Sequence, residues 1–222
     1  MVTKPADTVF VTMDKTTILT RQLGLQPYET VWEKMKQFTL QRQPSTADEL
    51  WLLQHPPVYT LGLNAKAEHL LDPGGIPVIH SDRGGEVSYH GPGQLVAYLL
   101  LDTRRRNLGI KDLVHCLEQS VIELLQHYTI DAHRQTGAPG VYVNHKKIAA
   151  LGLRFKQKGC YHGLSLNVDM DLEPFSRINT CGYPGLESTQ IAEWYQPVNL
   201  QQVSDALQRC LLTRLNTIGH NE

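Results

Sequence analysis

Apolar residues recur at helical spacing in three stretches of the chain, and in alternating or continuous runs between them. After Pro27, the positions Val31, Met35 and Phe38 lie about one turn apart and Pro44 closes the segment, so residues 28 to 43 read as an amphipathic helix. From Leu108 to Tyr128, Leu113, Val114, Leu117, Val121, Leu124 and Leu125 form one apolar face. A third helix runs from about Leu200 to Leu215 on Val203, Leu207, Leu211 and Leu215. Between them, the continuous run Leu95 to Leu101 predicts a buried strand, and Val141 to Val143 and Ile148 to Phe155 flank Asn144 to Lys147 as the arms of a hairpin. Leu164 to Leu172 alternates, which turns Leu164, Leu166, Val168, Met170 and Leu172 to a core and Ser165, Asn167, Asp169 and Asp171 to the other side. No repeat, low-complexity tract or linker divides the sequence. The order predicts one α/β (α+β) domain over residues 1–222, with helices packed on a mixed, largely antiparallel sheet.

Composition narrows the classes. The 222 residues are 41% hydrophobic and 19% charged with a formal net charge of −1, which suits a globular domain with a real core and excludes a protein that coats nucleic acid or membrane. The four cysteines, Cys116, Cys160, Cys181 and Cys210, have no C-x-x-C spacing, which disfavours a structural zinc site or a thioredoxin-type pair. The opening MVTKPADTVFVTMDKTT carries no apolar leader core, and Leu95 to Leu101 and Ile148 to Leu153 are too short to span a bilayer. A cytoplasmic protein with reduced thiols is the expectation.

Candidate chemistry gathers in two places. RGGEVSYHGPGQ, Arg83 to Gln94, packs four glycines, a proline, an arginine and a histidine between apolar segments. It reads either as a turn feeding a buried strand or as a loop whose glycines bring backbone N–H groups against a ligand. Among the cysteines, Cys116 and Cys210 fall on helix faces and read as packing residues. Cys160 follows Lys158-Gly159 at a turn between strands, with His162 two positions on and on the same face of an extended strand. Cys181 lies in RINTCGYPG, where Gly182, Pro184 and Gly185 forbid regular structure; it is a loop thiol without an evident packing role, though most such thiols are not catalytic. Lys147 is a solvated lysine if exposed, and a cation able to tune a thiol and relay a proton if turned inward.

Six segments together resemble the lipoyl(octanoyl) transferase family, also called lipoate-protein ligase B. They are QHPPVYTLG (Gln54 to Gly62), RGGEVSYHGPGQLVAYLLLD (Arg83 to Asp102), GAPGVYV (Gly137 to Val143), KKIAALGLR (Lys146 to Arg154), HGLSLNV (His162 to Val168) and INTCGYPG (Ile178 to Gly185). The resemblance implies a biotin/lipoyl protein ligase-like catalytic domain that moves an octanoyl group from octanoyl-acyl carrier protein to a lysine of lipoyl domains. Those are carried by 2-oxoacid dehydrogenase E2 subunits and by the glycine cleavage H protein. It further implies a monomer that works without ATP, metal or other cofactor. The family's Cys/Lys pair falls on Cys181 and Lys147. Its acyl-binding positions fall on Arg83, Gly84, Gly85, Glu86, Val87, Ser88, Tyr89 and His90, on Ala150, Leu151 and Gly152, and on Gly163, Leu164 and Ser165.

On that assignment Cys181 attacks the donor thioester and Lys147 handles the proton, with His90 as a second candidate for proton transfer or for polarising the carbonyl. Backbone donors of Gly182 and the Gly84-Gly85 turn are the candidates for the oxyanion, and Ala149, Ala150, Leu151, Gly152 and Leu164 supply an apolar tunnel. Arg104, Arg105, Arg106, Lys146, Arg154, Lys156 and Lys158 form either a docking patch for the acidic carrier or a set of solvated charges. The rival readings are an ATP-dependent lipoate ligase, a cysteine acyl hydrolase acting through Cys160 or Cys181, and a catalytically silent module that binds acylated carrier.

Overall fold

A computed structural model describes residues 17–218. The opening residues, on which the expectation of no leader rests, and the outer ends of the 1–222 domain lie outside the described residues. In chain order the elements are β1 (Ile18–Leu25), α1 (Tyr28–Gln41), β2 (Asp48–Gln54), β3 (Val58–Leu61), β4 (Val78–His80), β5 (Val87–His90), β6 (Gln94–Leu100), α2 (Ile110–His127), β7 (His133–Arg134), β8 (Val141–Val143), β9 (Lys146–Lys156), β10 (Gly159–Asn167) and α3 (Leu200–Thr217). Seven strands form one sheet in the order β1-β2-β6-β10-β9-β8-β7, and three form a second in the order β4-β3-β5. The pairs β1–β2 and β3–β4 are parallel and the rest antiparallel, so the sheet is mixed and largely antiparallel as expected.

Both faces of the large sheet are covered, and that explains why β2 and β6 read as continuous apolar runs. Leu50 and Leu52 of β2 and Leu95, Ala97 and Leu99 of β6 turn to one face, where Leu113, Leu117, Val121 and Leu124 of α2 and Val203, Leu207 and Leu211 of α3 close the main core. Trp51 and Leu53, with Val96, Tyr98 and Leu100, turn to the other and meet Val31 and Met35 of α1. The small sheet buries Tyr59, Leu61, Val87 and Tyr89 against Phe175 and Ile178. No described helix is long and apolar enough to cross a membrane.

Two expectations are corrected. The alternating strand starts earlier and stops at Asn167, because the Gly93 carbonyl accepts the N–H of both Val168 and Asp169 and ends the pairing with β6. A Cβ on Gly93 would sit 1.9 Å from the Asp169 carbonyl oxygen, so glycine is what lets the chain turn there. Met170 and Leu172 consequently pack with the small sheet, and Ser165 and Asn167 are buried rather than solvated. The stretch Arg83 to Gln94, in turn, is only partly a loop: its centre is β5, paired with β3.

Candidate active site

Cys181 stands in a short turn, Thr180–Gly182, with φ 54° and ψ 24°, followed by Gly182 at φ 78°. A side chain held in left-handed backbone is costly and needs a surrounding structure that imposes it. Here Asn179 N–H donates to the His69 carbonyl at 2.9 Å, and a Cβ on Gly182 would come within 3.0 Å of Glu86 Cγ, so the turn is seated against the 83–86 loop. Lys147 is the second residue of β9, 34 positions before Cys181. Backbone bonds bring the two together: Lys147 N–H donates to the Glu187 carbonyl at 2.9 Å, and the Lys147 carbonyl accepts Thr189 N–H at 3.0 Å. The segment just after Cys181 is thus zipped alongside the lysine. Lys147 is 3% exposed, and its Nζ lies 3.1 Å from Cys181 Sγ. Neighbouring Lys146 instead points out to Glu187.

Three groups surround the Lys147 ammonium. The Pro139 carbonyl accepts from Nζ at 3.1 Å, the Tyr142 ring centre lies 5.1 Å away, and Sγ completes the set. Burial pulls the lysine pKa down, but Cys181 and Tyr142 outweigh it and hold the group above its ordinary value. A buried cation within hydrogen-bond reach of a thiol can hand over and take back a proton at the reacting sulfur.

A cavity of about 600 Å³ opens beside this pair, lined by residues 83–88, His90, 150–155 and 162–165 as well as by Lys147 and Cys181. Every acyl-binding position inferred from sequence faces it except Tyr89, which is turned to the small sheet, its ring tilted against Tyr59 and edge-on to Phe175. Ala149 is also not in the wall; it packs in the main core. Arg83 serves the loop itself, donating to Thr60 Oγ1 and to the carbonyls of Thr60, Gly84 and Glu86. The expected oxyanion donors are partly taken. Gly182 N–H donates to the Asn179 carbonyl and Gly84 N–H to the Leu153 carbonyl, while Gly85 N–H has no acceptor among the described residues.

His90 is neutral. Burial, then neighbouring His55, pushes it down to about 3, and its Nδ1 lies 2.7 Å from Gln94 Oε1. A base that weak takes up no proton at neutral pH, so His90 is part of the wall rather than a relay. Cys160 and His162 do not form a pair: Cys160 lies in the main core with its thiol pushed up to about 12 by burial, whereas His162, at φ 65°, turns to Asp82 at 3.1 Å. The positive φ breaks the strand alternation on which the same-face expectation rested. Cys116 is likewise buried, with its thiol raised to about 12.

The expected basic patch is divided in the structure: Arg104, Lys156 and Lys158 are exposed and Lys146 pairs with Glu187, while the remaining arginines are engaged by carboxylates. Arg105 and Arg106 turn to Asp48, which also receives Arg42, Arg154 lies toward Asp82, and Lys158 donates to the Leu40 carbonyl. Sequence reading passed over Tyr28, Tyr98, Pro139 and His162 as cavity residues. Tyr98 was hidden in an apolar run; Pro139 stood in plain sight in GAPGVYV. Among the described residues, no three or more His, Cys, Asp or Glu side chains gather where a metal ion could be held.

This two-sheet scaffold has relatives. Residues 27–212 match the family model of the lipoyl protein ligase A/B catalytic domain, and the chain belongs to that family. Its fold is shared with the archaeal bipartite lipoate protein ligase of Thermoplasma acidophilum, at a TM-score of 0.69 and 18% identity over 90% of this chain and 84% of that one. It is also shared with the biotin protein ligase of Aquifex aeolicus, at 0.58 and 12% over 92% and 73%. Within the family, the chain is 56% identical over 196 residues to the octanoyltransferase of Pseudomonas entomophila (strain L48), covering 88% of this chain and 91% of the relative. The octanoyltransferase of Klebsiella pneumoniae is 54% identical over 209 residues, 94% and 97% of the two chains.

Proposed function

We propose that this chain transfers an octanoyl group from octanoyl-acyl carrier protein to one lysine of a lipoyl domain, through a thioester on Cys181. Octanoyl transfer in protein lipoylation is supported by the 54% and 56% identities to octanoyltransferases over most of the chain. The observation that carries the route is the 3.1 Å approach of Lys147 Nζ to Cys181 Sγ beside an apolar cavity.

In the first half, the Cys181 thiolate attacks the donor carbonyl, and Gly85 N–H, without an acceptor among the described residues and in a loop that lines the same cavity, is a candidate donor to the oxyanion. The tetrahedral adduct collapses with loss of the carrier's thiolate, which takes its proton from the Lys147 ammonium. One thioester is exchanged for another, so little energy is lost and no ATP is required. In the second half, the neutral amine of the acceptor lysine attacks the acyl-Cys181 carbonyl. The nitrogen gives up its proton to Lys147, the Cys181 thiolate leaves, and the pair returns to its starting charge. Ala150, Leu151, Gly152 and Leu164 enclose the chain, each buried methylene contributing about 0.8 kcal/mol.

On this reading the protein is one catalytic domain acting as a cytoplasmic monomer, without metal or other cofactor. Its acceptors are E2 lipoyl domains and the H protein. The test is a choice of donor. Apo lipoyl domain offered octanoyl-acyl carrier protein alone becomes octanoylated; if modification instead requires free octanoate and ATP, the chain is an adenylating ligase and the donor assignment fails.

A further inference from the structure

Helix α2 turns an apolar face to the large sheet, and Glu118 interrupts it with a carboxylate only 6% exposed. A buried carboxylate persists where it is paired or hydrogen-bonded. Its Oε1 accepts Gly140 N–H at 2.9 Å, and its Oε2 lies 3.1 Å from Arg134 Nε. Arg134 is fixed in turn by a 2.6 Å bond to Gln119 Oε1. The acyl-transfer steps use none of these charges. What they hold is the turn from Gly137 to Gly140.

That turn touches both halves of the reacting pair. The Gly137 carbonyl accepts Tyr183 Oη–H at 3.2 Å, two residues beyond Cys181. The Ala138 carbonyl accepts Tyr142 Oη–H at 3.0 Å, and the Tyr142 ring stands over Lys147 Nζ. The Pro139 carbonyl accepts from Lys147 Nζ itself. That carbonyl and the Gly140 N–H belong to one planar trans amide, so they point in opposite directions. Glu118 stands at one end of the amide and Lys147 at the other. A carboxylate accepting at the N–H end both orients the group and draws its electrons toward the carbonyl oxygen that faces the ammonium. Gly140 offers no other handle: at φ 138° a Cβ would lie 2.8 Å from the Ala149 carbonyl oxygen and 3.1 Å from Lys147 Cε.

We propose that Glu118 is a positioning residue for acyl transfer: through the Pro139–Gly140 peptide it aims the Pro139 carbonyl at Lys147 Nζ and so keeps the ammonium against Cys181 Sγ. The inference rests on the Cys181–Lys147 reading above. Its test is the rate at which iodoacetamide alkylates Cys181 in the full chain across the neutral to alkaline range, followed on the Cys181 peptide so that the other thiols do not interfere. Glu118→Met keeps the side-chain volume and removes the acceptor. It slows alkylation at neutral pH by on the order of tenfold, the scale of one hydrogen bond to a charged group, and moves the profile to higher pH. Glu118→Gln keeps an acceptor for Gly140 N–H and restores the parent profile.

Parent-like alkylation of Glu118→Met at every pH overturns the proposal, and so does a Glu118→Gln profile that falls as far as that of Glu118→Met. Should the methionine variant not fold, Glu118→Gln combined with Arg134→Met, which leaves no unmatched charge, is expected to alkylate like the parent; a tenfold fall there also overturns it. Lys147→Met is measured alongside. If that variant too alkylates like the parent, it is the Cys181–Lys147 reading that fails; if Lys147→Met slows and Glu118→Met does not, only the role of Glu118 fails.

Discussion

Gly152→Ala tests whether the 83–86 loop is seated on β9 as described. Gly152 has ordinary backbone, so the substitution acts through space rather than through φ. The added Cβ would meet the Gly84 carbonyl oxygen at 2.9 Å and Arg83 Cδ at 3.3 Å. Both belong to a loop that is tied down: Gly84 N–H is bonded to the Leu153 carbonyl at 3.0 Å, and the Arg83 guanidinium is spent on Thr60 and on the loop's own carbonyls. The loop must therefore lift, stretching the Gly84–Leu153 bond and displacing the cavity wall that residues 83–86 share with Cys181. Overpacking of this kind costs about 1–3 kcal/mol. Spent on assembling the site, that is roughly a five- to hundredfold loss of transfer rate, since each 1.36 kcal/mol is about tenfold. The assay is single-turnover octanoyl transfer to an apo lipoyl domain, read beside a thermal melt. Gly75→Ala is the control, because nothing lies within 4 Å of a Cβ there and its φ is ordinary; it stays within about 0.5 kcal/mol of the parent. A Gly152→Ala protein with parent-like rate and melting temperature refutes the seating of the loop.

Three other outcomes are expected. His55 and His90 are pushed down to about 4 and about 3 by burial, while an unfolded histidine titrates near 6.5. Below 6.5 the unfolded chain binds protons that the folded one refuses, so stability falls as pH drops toward 4, by up to about 1.4 kcal/mol per pH unit for each histidine; an NMR titration showing either imidazole charging with a midpoint near 6.5 contradicts this. Asp48 is fully buried and holds Arg42, Arg105 and Arg106, so Asp48→Ala strands buried guanidinium groups and costs about 3–5 kcal/mol in urea unfolding, and a loss below about 1 kcal/mol contradicts the cluster. A hexanoyl donor gives up two methylenes of cavity burial, about 1.6 kcal/mol, and acylates Cys181 roughly tenfold less efficiently than octanoyl; equal efficiency shows that the chain is not held in the wall of Ala150, Leu151 and Leu164.

Much of the scaffold was legible because burial imposes period. The three helices appeared within a few residues of their observed ends, as did β6 and the β8–β9 hairpin. What escaped were elements whose pattern is set by tertiary contact. β5 is only four residues long and buried on both faces, so the brief alternation of Val87, Ser88, Tyr89 and His90 does not stand out between glycine-rich flanks. The end of β10 is decided by Gly93, more than seventy positions earlier. Residue types in RINTCGYPG and KKIAALG pointed to a loop thiol and an ambiguous lysine, and their resemblance to a family named the pair. Their 3.1 Å approach depends on a parallel bridge between Lys147 and Ser188 that no local pattern announces. The arginine run looked like a surface patch because charge alone does not reveal that a buried carboxylate sits opposite.

The central claim is that the octanoyl group passes through Cys181, and intact-protein mass spectrometry after rapid mixing with octanoyl-acyl carrier protein tests it directly. The parent protein is expected to carry a hydroxylamine-labile octanoyl adduct, absent from Cys181→Ala, that disappears as added apo lipoyl domain gains the same mass. An adduct that persists in Cys181→Ala, or a domain octanoylated at the parent rate by that variant, contradicts it.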